Sequence, residues 1–383
     1  MYSYYEFFAG GGMVRAGLGS HWQCLFANDF DLKKGRIYRQ NWGDTGELKS
    51  ASVELLRTAD LPGTANLVWA SFPCQDLSLA GAGAGLKGER SGTFWPFWNL
   101  VTDLVEEGRV PPLIVLENVC GALTSHGGKD FATICKAMLD AGYSVGALVM
   151  NALLFVPQSR PRLFVIGVRK ETSVPSSLVA SGPLPGWHSK ALINACSNLP
   201  STSQERWIWW NLPEPSNPRM TLSDIIEENP ADVKWFSEGE VERLIGMMSD
   251  LNMAKLDKAK RAGIRIVGGV YRRTRPDTHG RKVQRAEIRF DNVSGCLRTP
   301  AGGSSRQVIL IVEGKSVKAR LISTRETARL MGLPDSYELP ENYNEAYHLT
   351  GDGVVVPVVR YLAAHIFEPI LACLTEHKSI LAA

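Results

Sequence analysis

From Met1 to about Arg169 the sequence alternates short apolar runs with stretches of helical periodicity. The runs YYEFF, CLFAN, NLVWASF, PLIVLEN, SVGALVM and RLFVIGV predict strands, and helices are expected from Val14, over 32–42, over 95–107 and over 131–141. Runs such as LIVLE and LFVIGV are apolar at almost every position, which is typical of strands covered on both faces. The pattern predicts an α/β fold with a doubly wound, mostly parallel sheet.

The pattern changes after Lys170. Residues 173–217 are rich in Ser, Pro and Trp and predict loops and short strands, while WFSEGEVERLIGMMSDLNMAKLDKAKR predicts one helix and GIRIVGGVYRR, AEIRF and RQVILIVEG predict strands. A capped helix is expected in STRETARLMGLP, and a long apolar helix closes the chain. We therefore expect a first domain at 1–172 completed by 350–383, a second, smaller domain at 173–317 and a connecting segment at 318–349.

The positive charge is concentrated in one part of the chain. With 383 residues, 44% of them apolar, the sequence is long enough for two globular domains, and its net charge of +3 says little about partners. Between Lys255 and Arg289, however, twelve Lys or Arg residues stand against three acidic ones, an excess of +9 that leaves −6 for the remainder. This stretch, the basic segment, indicates a polyanionic partner.

The cysteines and the apolar runs narrow the setting. The seven cysteines form no CxxC pair and have no regular spacing, which argues against a disulfide framework and a zinc site, so no metal is expected. The N-terminus opens directly into a strand, and no apolar stretch was expected to reach the roughly 18 to 20 residues that span a bilayer. We expect a cytoplasmic protein with no membrane partner.

Three glycines follow the first strand, in Phe7-Phe8-Ala9-Gly10-Gly11-Gly12. Glycine lets the chain turn sharply and brings its backbone close to a ligand at the end of a strand. The next strand ends in Asn28-Asp29-Phe30, where a carboxylate suits the hydroxyl groups of a ribose. Because the spacing is not GxGxxG, it favours S-adenosylmethionine over a dinucleotide. For the glycines alone, an ordinary strand-to-helix turn is the alternative.

A thiol, a carboxyl group and two guanidinium groups flank the other predicted strands. Pro73-Cys74-Gln75 follows NLVWASF, Glu117 stands near the end of PLIVLEN, and Arg160 and Arg162 precede LFVIGV with one residue between them. The carboxyl edge of a doubly wound sheet carries the ligand crevice, and a carboxyl group buried there is costly unless it has a partner. The set predicts nucleophilic attack by Cys74, with a proton donor and an anion clamp.

These motifs resemble those of the bacterial-type DNA cytosine-5 methyltransferases, over nearly the whole chain. FFAGGGM is similar to the first cofactor motif of that family, SFPCQDLS to its nucleophile motif, LENV to its glutamate motif and VPQSRPR to its double-arginine motif. ERSGTFW, RLISTRETARLMGLPDSY and TGDGVVVPVVRYLA match further motifs in the family order. The resemblance implies a Rossmann-like methyltransferase sheet, a target-recognition domain, and methyl transfer from S-adenosylmethionine to C5 of cytosine in a specific duplex sequence.

The resemblance also implies a role for each catalytic residue. Cys74 attacks C6 of a cytosine flipped out of the duplex, which makes C5 a methyl acceptor, and Glu117 holds or protonates N3. Arg162 contacts O2 and orients the Cys74 region. Arg160 lies nearby, on a phosphate or on the Cys74 loop.

For the cofactor, whose product is S-adenosylhomocysteine, the resemblance implies a pocket around the glycines, with Asp29 on the ribose and Phe30 near the adenine. Three positions depart from the family pattern: Met13 replaces a glycine, Ser52-Val53 stands where a carboxylate is expected, and Gly351-Asp352-Gly353 replaces Gly-Asn-Ser. The expected cofactor-binding residues are Phe8, Ala9, Gly10, Gly12, Asp29, Phe30, Ser52, Val53, Pro73, Asp352 and Gly353.

The region 173–317, which reads the DNA target in the family, contains the basic segment. Its arginines can bind phosphates or pair with guanine, and the loop at 299–303 resembles the one that supports the flipped nucleotide. The tryptophans of RWIWW are expected to be structural. The expected DNA-binding residues are Gln75, Ser78, Arg272, Arg273, Arg275, Arg281, Lys282, Arg285, Thr299, Gly302 and Gly303.

Two alternative functions stay open: a tRNA cytosine-5 methyltransferase, and a catalytically silent DNA-binding relative. The large basic insert favours duplex DNA over tRNA, and the joint presence of Cys74, Glu117 and Arg162 argues against a silent protein. We expect a bacterial protein associated with the nucleoid. The sequence leaves open its recognition site, its oligomeric state and whether a cognate restriction endonuclease accompanies it.

Overall fold

The computed structural model describes residues 1–73, 93–216, 220–276, 280–298 and 306–382. The chain divides into two compact units. Unit 1 comprises Met1–Asn151, Pro161–Pro215 and Val356–Ala383, and unit 2 comprises Ala152–Arg160 and Ser216–Val355.

The secondary-structure elements are numbered in chain order. The strands are β1 (Tyr2–Phe7), β2 (Trp22–Asp29), β3 (Leu48–Ser50), β4 (Leu67–Ala70), β5 (Leu113–Val119), β6 (Tyr143–Asn151), β7 (Gln158–Ser159), β8 (Pro161–Arg169), β9 (Val179–Ala180), β10 (Trp207–Trp210), β11 (Arg265–Pro276), β12 (Lys282–Arg289), β13 (Ser294–Gly295), β14 (Val308–Glu313) and β15 (Ser316–Leu321). The α-helices are α1 (Met13–Leu18), α2 (Leu32–Trp42), α3 (Phe94–Glu106), α4 (Lys129–Asp140), α5 (Lys190–Ser197), α6 (Ser201–Gln204), α7 (Leu222–Ile225), α8 (Glu238–Gly246), α9 (Asp250–Arg261), α10 (Thr324–Leu330), α11 (Tyr343–Asp352), α12 (Val356–Leu362) and α13 (Glu368–Ala382).

Unit 1 is built on a nine-stranded sheet in the order β3-β2-β1-β4-β5-β8-β6-β10-β9. The pairs from β3 through β5 are parallel, whereas β8 runs antiparallel to both β5 and β6. All four residues of β4 are buried, as its uninterrupted apolar run predicts. The predicted α/β class with a mostly parallel sheet is confirmed.

The predicted helices of the first region are found within two residues of their expected limits. Asp31 is the N-cap of α2, and its Oδ1 accepts hydrogen bonds from the backbone N–H groups of Lys33 (2.8 Å) and Lys34 (3.3 Å). The helix ends at Gly43, which has φ +82°. The local capping signals and the apolar periodicity therefore agree on where this helix lies.

Unit 2 contains a four-stranded antiparallel sheet in the order β12-β11-β14-β15, and β7 pairs in parallel with β13. α8 and α9 pack on one face of this four-stranded sheet, where Leu244, Leu256, Val270 and Ile288 share a core. The single helix expected here is wrong, because the chain leaves the helix after Gly246 and a new helix starts at the N-cap Ser249.

The limits of the two compact units also differ from the expected domain limits. Residues 173–215 belong to unit 1, because Trp207 and Ile208 pair with Val145 and Gly146 and extend the large sheet. Residues 318–349 are no separate connection, since β15, α10 and α11 are parts of unit 2, which continues to Val355. As expected, the tryptophans of β10 are structural, and Trp210 is fully buried.

The C-terminal helix continues from α12 through a π-helical turn, Ala363–Phe367, into α13. It packs on α1 so closely that a Cβ added at Gly17 would lie 2.4 Å from Cβ of Val359. The run Tyr343–Thr375 is long and apolar enough to cross a membrane by length and composition, which corrects the expectation from sequence. Of its most apolar window 61% is buried, as in the core helix of a globular domain.

Candidate active site

The glycine turn after β1 is fastened by Asp29 at the end of β2. Gly10 and Gly12 have φ +56° and +79°, values that residues with a side chain rarely adopt. The backbone N–H of Gly10 donates to Oδ2 of Asp29 at 2.8 Å, and that of Asp31 donates to Oδ1 at 2.8 Å. Burial raises the pKa of Asp29, while these N–H groups and Lys34 lower it. Each carboxylate oxygen has a second lone pair, so Asp29 can also accept ribose hydroxyls.

The space around the glycines differs from one to the next. A Cβ added at Gly10 would meet nothing within 4 Å, whereas one at Gly12 would lie 2.3 Å from Nε1 of Trp42. The indole N–H of Trp42 donates to the carbonyl of Gly11 at 3.1 Å. A ligand can therefore approach the backbone at Gly10, while Trp42 supports the turn from the other side. The sequence reasoning missed Trp42, which lies 30 positions after Gly12 and carries no motif.

The residues expected around the ribose and adenine lie near this turn. Phe30, beside Asp29, is 70% exposed, and Phe8 has φ +60°, a conformation that is unusual for a bulky residue. β3 lies next to β2 and pairs Ser50 with Asp29, so Ser52 and the buried Val53 follow at the same edge of the sheet. Open space at Gly10, a carboxylate and an exposed aromatic ring fit a nucleoside-containing cofactor.

Asn28 organises this edge and was not predicted. Its Nδ2 donates to the carbonyls of Lys49 at 2.9 Å and Ala51 at 2.8 Å, and so fixes the chain that leads from β3 to Ser52. The sequence signal that could have identified Asn28 is its position directly before Asp29, at the end of an apolar strand.

Glu117 and Arg162, two of the predicted catalytic residues, are in direct contact. The antiparallel pairing of β5 with β8 sets Val119 opposite Arg162, and Nε of Arg162 lies 3.2 Å from Oε1 of Glu117. Glu117 is only 7% exposed. A buried carboxyl group held by an arginine can hydrogen-bond the ring nitrogen of a nucleobase with a defined orientation.

The strand that leads toward Cys74 is the direct neighbour of β5. Cys74 itself lies outside the described residues, as do Gln75 and Ser78, and the preceding Pro73 is half-buried. Nδ2 of Asn118 donates to the carbonyl of Phe72 at 3.3 Å and ties the end of this segment to β5. The strand order β4-β5-β8 thus aligns the residues that precede Cys74 with Glu117 and then with Arg162.

For Arg160 the resemblance implied a place on a phosphate or on the Cys74 loop, and that loop lies outside the described residues. Arg160 belongs to unit 2, is 2% exposed, and donates hydrogen bonds to the backbone carbonyls of Leu297, Gly351 and Gly353. A guanidinium group so enclosed is not placed to bind a phosphate. Asp352, which is exposed, and Gly353 also belong to unit 2, where α11 ends.

The basic segment forms α9 and the antiparallel pair β11–β12 in unit 2. Arg273 stands opposite Arg285 on one face of this pair, and Nε of Arg273 lies 3.4 Å from Oε2 of Glu287. Like charges directly opposite each other destabilise a sheet, so the arrangement suits an anionic ligand. Arg272, Arg281 and Lys282 are exposed, and Arg275 is also in β11. Thr299, Gly302 and Gly303 lie outside the described residues.

A metal site was not expected from the sequence. Within the ranges that the structure describes, no group of three or more His, Cys, Asp or Glu side chains could hold a metal ion.

Comparison with known proteins identifies the family. The model of the C-5 cytosine-specific DNA methylase family matches residues 2–368. The chain is 24% identical to the Type II methyltransferase M.HhaI of Haemophilus parahaemolyticus over 94% of this chain and 93% of that protein. It is also 24% identical to the Type II methyltransferase M.HpaII of Haemophilus parainfluenzae, over 96% and 89%.

Solved structures show the same fold. The Dnmt2 methyltransferase of S. pombe has a TM-score of 0.59 at 17% identity and covers 97% of this chain and 99% of its own. The methyltransferase EhMeth of Entamoeba histolytica has a TM-score of 0.64 at 13% identity, with 98% and 99% covered. The family model spans nearly the whole chain, which confirms the predicted activity: the chain belongs to the C-5 cytosine-specific DNA methylase family.

Proposed function

We propose that this protein transfers the methyl group of S-adenosylmethionine to C5 of cytosine in duplex DNA, with Cys74 as the nucleophile and Glu117 and Arg162 as the residues that hold the base. The observation that supports these roles is the contact between Glu117 and Arg162, 3.2 Å apart, beside the strand that leads toward Cys74. All three roles are chemically linked, since the thiol adds only to a ring whose developing charge is accommodated.

The proposed reaction begins with addition of the Cys74 thiolate to the ring and ends with its elimination. The Cys74 thiolate forms a bond to C6 of the flipped cytosine, and the electron pair of the C5–C6 bond moves into the ring, where a proton held between Glu117 and N3 stabilises it. C5 then bonds to the methyl carbon as the bond from that carbon to the sulfonium sulfur breaks, so that S-adenosylhomocysteine leaves, and N3 returns its proton to Glu117. Loss of the C5 proton to a base and departure of the thiolate from C6 restore the double bond. Arg162 orients Glu117 and donates to O2 of the base.

S-adenosylmethionine supplies an electrophilic methyl group in this scheme. The proposed binding residues include Gly10, where the backbone is open to a ligand, Asp29 for the ribose and the exposed Phe30 for the adenine. The predicted contacts of Phe8, Ala9, Gly12, Ser52, Val53, Pro73, Asp352 and Gly353 remain part of the proposal. Arg160 is left out of the residues that hold the base because its guanidinium group donates to the carbonyls of Leu297, Gly351 and Gly353.

Duplex DNA is the proposed substrate because the basic segment presents arginines where β11 and β12 extend beyond β14 as a two-stranded β-ribbon, a shape that the major groove admits. Its exposed cations would neutralise phosphates, and the arginines opposite each other at 273 and 285 would approach base edges. We also propose a cytoplasmic location. Since the relatives are named Type II methyltransferases, a cognate restriction endonuclease is a further proposed partner.

The test is methyl transfer from labelled S-adenosylmethionine to mixed-sequence duplex DNA, followed by nucleoside analysis. We expect 5-methylcytosine, and trapping of the protein on duplex DNA that carries 5-fluorocytosine. Cys74→Ser should abolish both results, while Cys373→Ser, which changes a half-buried thiol in α13, should retain them.

Other outcomes separate the alternatives. Label on an exocyclic nitrogen would refute the reaction, and preferential labelling of tRNA in a mixture with DNA would replace the substrate. DNA binding without label, by a folded protein, would show a silent relative.

A further inference from the structure

Arg160 joins two chain segments for which function is proposed, and it does so entirely inside unit 2. One terminal nitrogen, Nη2, donates to the carbonyls of both Gly351 and Gly353 at 2.8 Å. These carbonyls flank Asp352 at the C-terminal end of α11, where a cation is favoured by the helix dipole. Both N–H bonds of this nitrogen are thereby committed to the turn that carries Asp352.

The other terminal nitrogen holds the segment that leads to the predicted DNA-contacting loop. Nη1 of Arg160 donates to the carbonyl of Leu297 at 3.0 Å and lies 3.4 Å from Sγ of Cys296. The backbone N–H of Leu297 donates to Oε1 of Gln158 at 3.0 Å, and Gln158 is itself fully buried. The carbonyl and the N–H of Leu297 are therefore held by Arg160 and Gln158, respectively. Leu297 is one residue before Arg298 and two before Thr299.

The chemistry of the guanidinium group makes this connection rigid. It keeps its charge when buried and presents its N–H bonds in one plane, so its two terminal nitrogens cannot shift independently. A displacement of the Gly351–Gly353 turn must move the guanidinium plane or break a charge-assisted bond. Either change also alters the hydrogen bond to Leu297, because Nη1 of the same guanidinium group donates to the Leu297 carbonyl.

We propose that Arg160 is a positioning residue that couples the two segments, so that occupation of the cofactor site at Asp352 and Gly353 orders the chain entering residues 299–303. This inference rests on the proposed function, which assigns the first pair to S-adenosylmethionine and Thr299, Gly302 and Gly303 to DNA. The proposed role of Arg160 is exerted through the backbone carbonyls that it holds. Cofactor and DNA then favour each other's binding by linkage.

Hydrogen exchange measured by mass spectrometry tests the coupling without catalysis. S-adenosylhomocysteine is added to the full chain, and the exchange rates of backbone amides are compared with and without it. We expect slower exchange at residues 351–355 and, through Arg160, at Leu297 and Arg298, the latter by at least roughly 5-fold. In Arg160→Lys, a point-like ammonium cannot bridge both segments, so the slowing at Leu297 and Arg298 should vanish while that at 351–355 persists.

Arg206→Lys is the matched control, because Arg206 also donates to backbone carbonyls, those of Leu139 and Tyr143, but in unit 1. It should keep both protected segments. If Arg160→Lys still slowed amide exchange at residues 297–298 on addition of S-adenosylhomocysteine, the proposal would be overturned. The wild type gives a test that does not need the variant to fold: slower exchange at 351–355 with unchanged exchange at 297–298 would also overturn it. If S-adenosylhomocysteine protected neither 351–355 nor Gly10–Gly12, the proposed cofactor itself would be refuted.

Discussion

We expect the carboxyl group of Glu6 to lower the stability of this protein as the pH rises. Glu6 lies in β1 beneath the glycine turn and is 1% exposed. Burial and, less strongly, the charge of Asp29 raise its pKa, while Arg15 and the backbone N–H of Val14 lower it, and the net result is a rise from 4.5 to about 8. Glu6 is therefore neutral in the folded protein at pH 7, although it is ionised in the unfolded chain.

The size of the effect follows from linkage. The folded state binds the proton more tightly than the unfolded state, so the contribution of Glu6 to stability is fully present below pH 4.5 and is lost as the pH rises toward 8. Between pH 5 and pH 8 the free energy of unfolding should fall by about 3 kcal/mol from this group alone. Glu6→Gln keeps a neutral side chain of the same shape and should remove this dependence.

Equilibrium urea unfolding of the wild type and of Glu6→Gln, at intervals from pH 5 to pH 8, measures the difference. The two proteins should unfold with similar free energies at pH 5 and diverge as the pH rises, with the variant the more stable. Glu47→Gln is a control, because the pKa of Glu47 is lowered in the folded protein and its contribution to stability therefore has the opposite dependence on pH. Burial raises the pKa of Glu47, but hydrogen bonds from Thr45 and Arg15 bring it below its ordinary value. A constant difference between wild type and Glu6→Gln would refute the reasoning.

The glycine turn, the catalytic carboxyl group and the basic segment give three further predictions. Gly12→Ala should cost about 2 kcal/mol in urea unfolding, because its Cβ would lie 2.3 Å from an indole nitrogen at φ +79°. Gly10→Ala should cost only about 1 kcal/mol but weaken S-adenosylhomocysteine binding in calorimetry; equal stability losses would contradict this. Glu117→Gln should lower kcat at least about 100-fold in methyl-transfer assays, and an unchanged kcat would exclude its proton role. Arg273→Ala should reduce the salt slope of DNA binding by about 1, whereas Lys136→Ala, which changes an exposed side chain of α4, should not; equal slopes for the two variants would remove Arg273 from the interface.

The core of the large sheet was predictable because its signals are local. Apolar runs such as LVWA and LIVL have one low-energy environment, the interior of a covered sheet, and their helices carry caps such as Asp31. The family motifs then named the residues around Gly10 and Glu117. Sequence alone thus located the strands of the large sheet, while the roles assigned to the site residues stay predictions.

The unit limits depended on pairing between distant strands and were not predictable in this way. Trp207–Trp210 is a short run in a Pro- and Ser-rich stretch, and only its pairing with β6 makes it part of the large sheet. The two residues of β7 belong to unit 2 because they pair with Ser294 and Gly295, more than 130 positions later. The partners of Arg160 at 297, 351 and 353 were not predictable for the same reason, since they leave no mark near it in the sequence.

The contact between Glu117 and Arg162 depends on a strand direction that the motifs do not state. Arg162 stands at the beginning of β8, whereas Glu117 is near the end of β5, so two parallel strands would place them at opposite edges of the sheet. Antiparallel pairing sets Val119 opposite Arg162 instead and brings the guanidinium group to the carboxyl group. The sequence did contain the signal: β6 ends at Asn151 and β8 begins at Pro161, and the residues between them are too few for the crossover of a dozen or more that parallel strands require. A reversed strand is therefore what allows an arginine that precedes its strand to serve a site at the carboxyl edge.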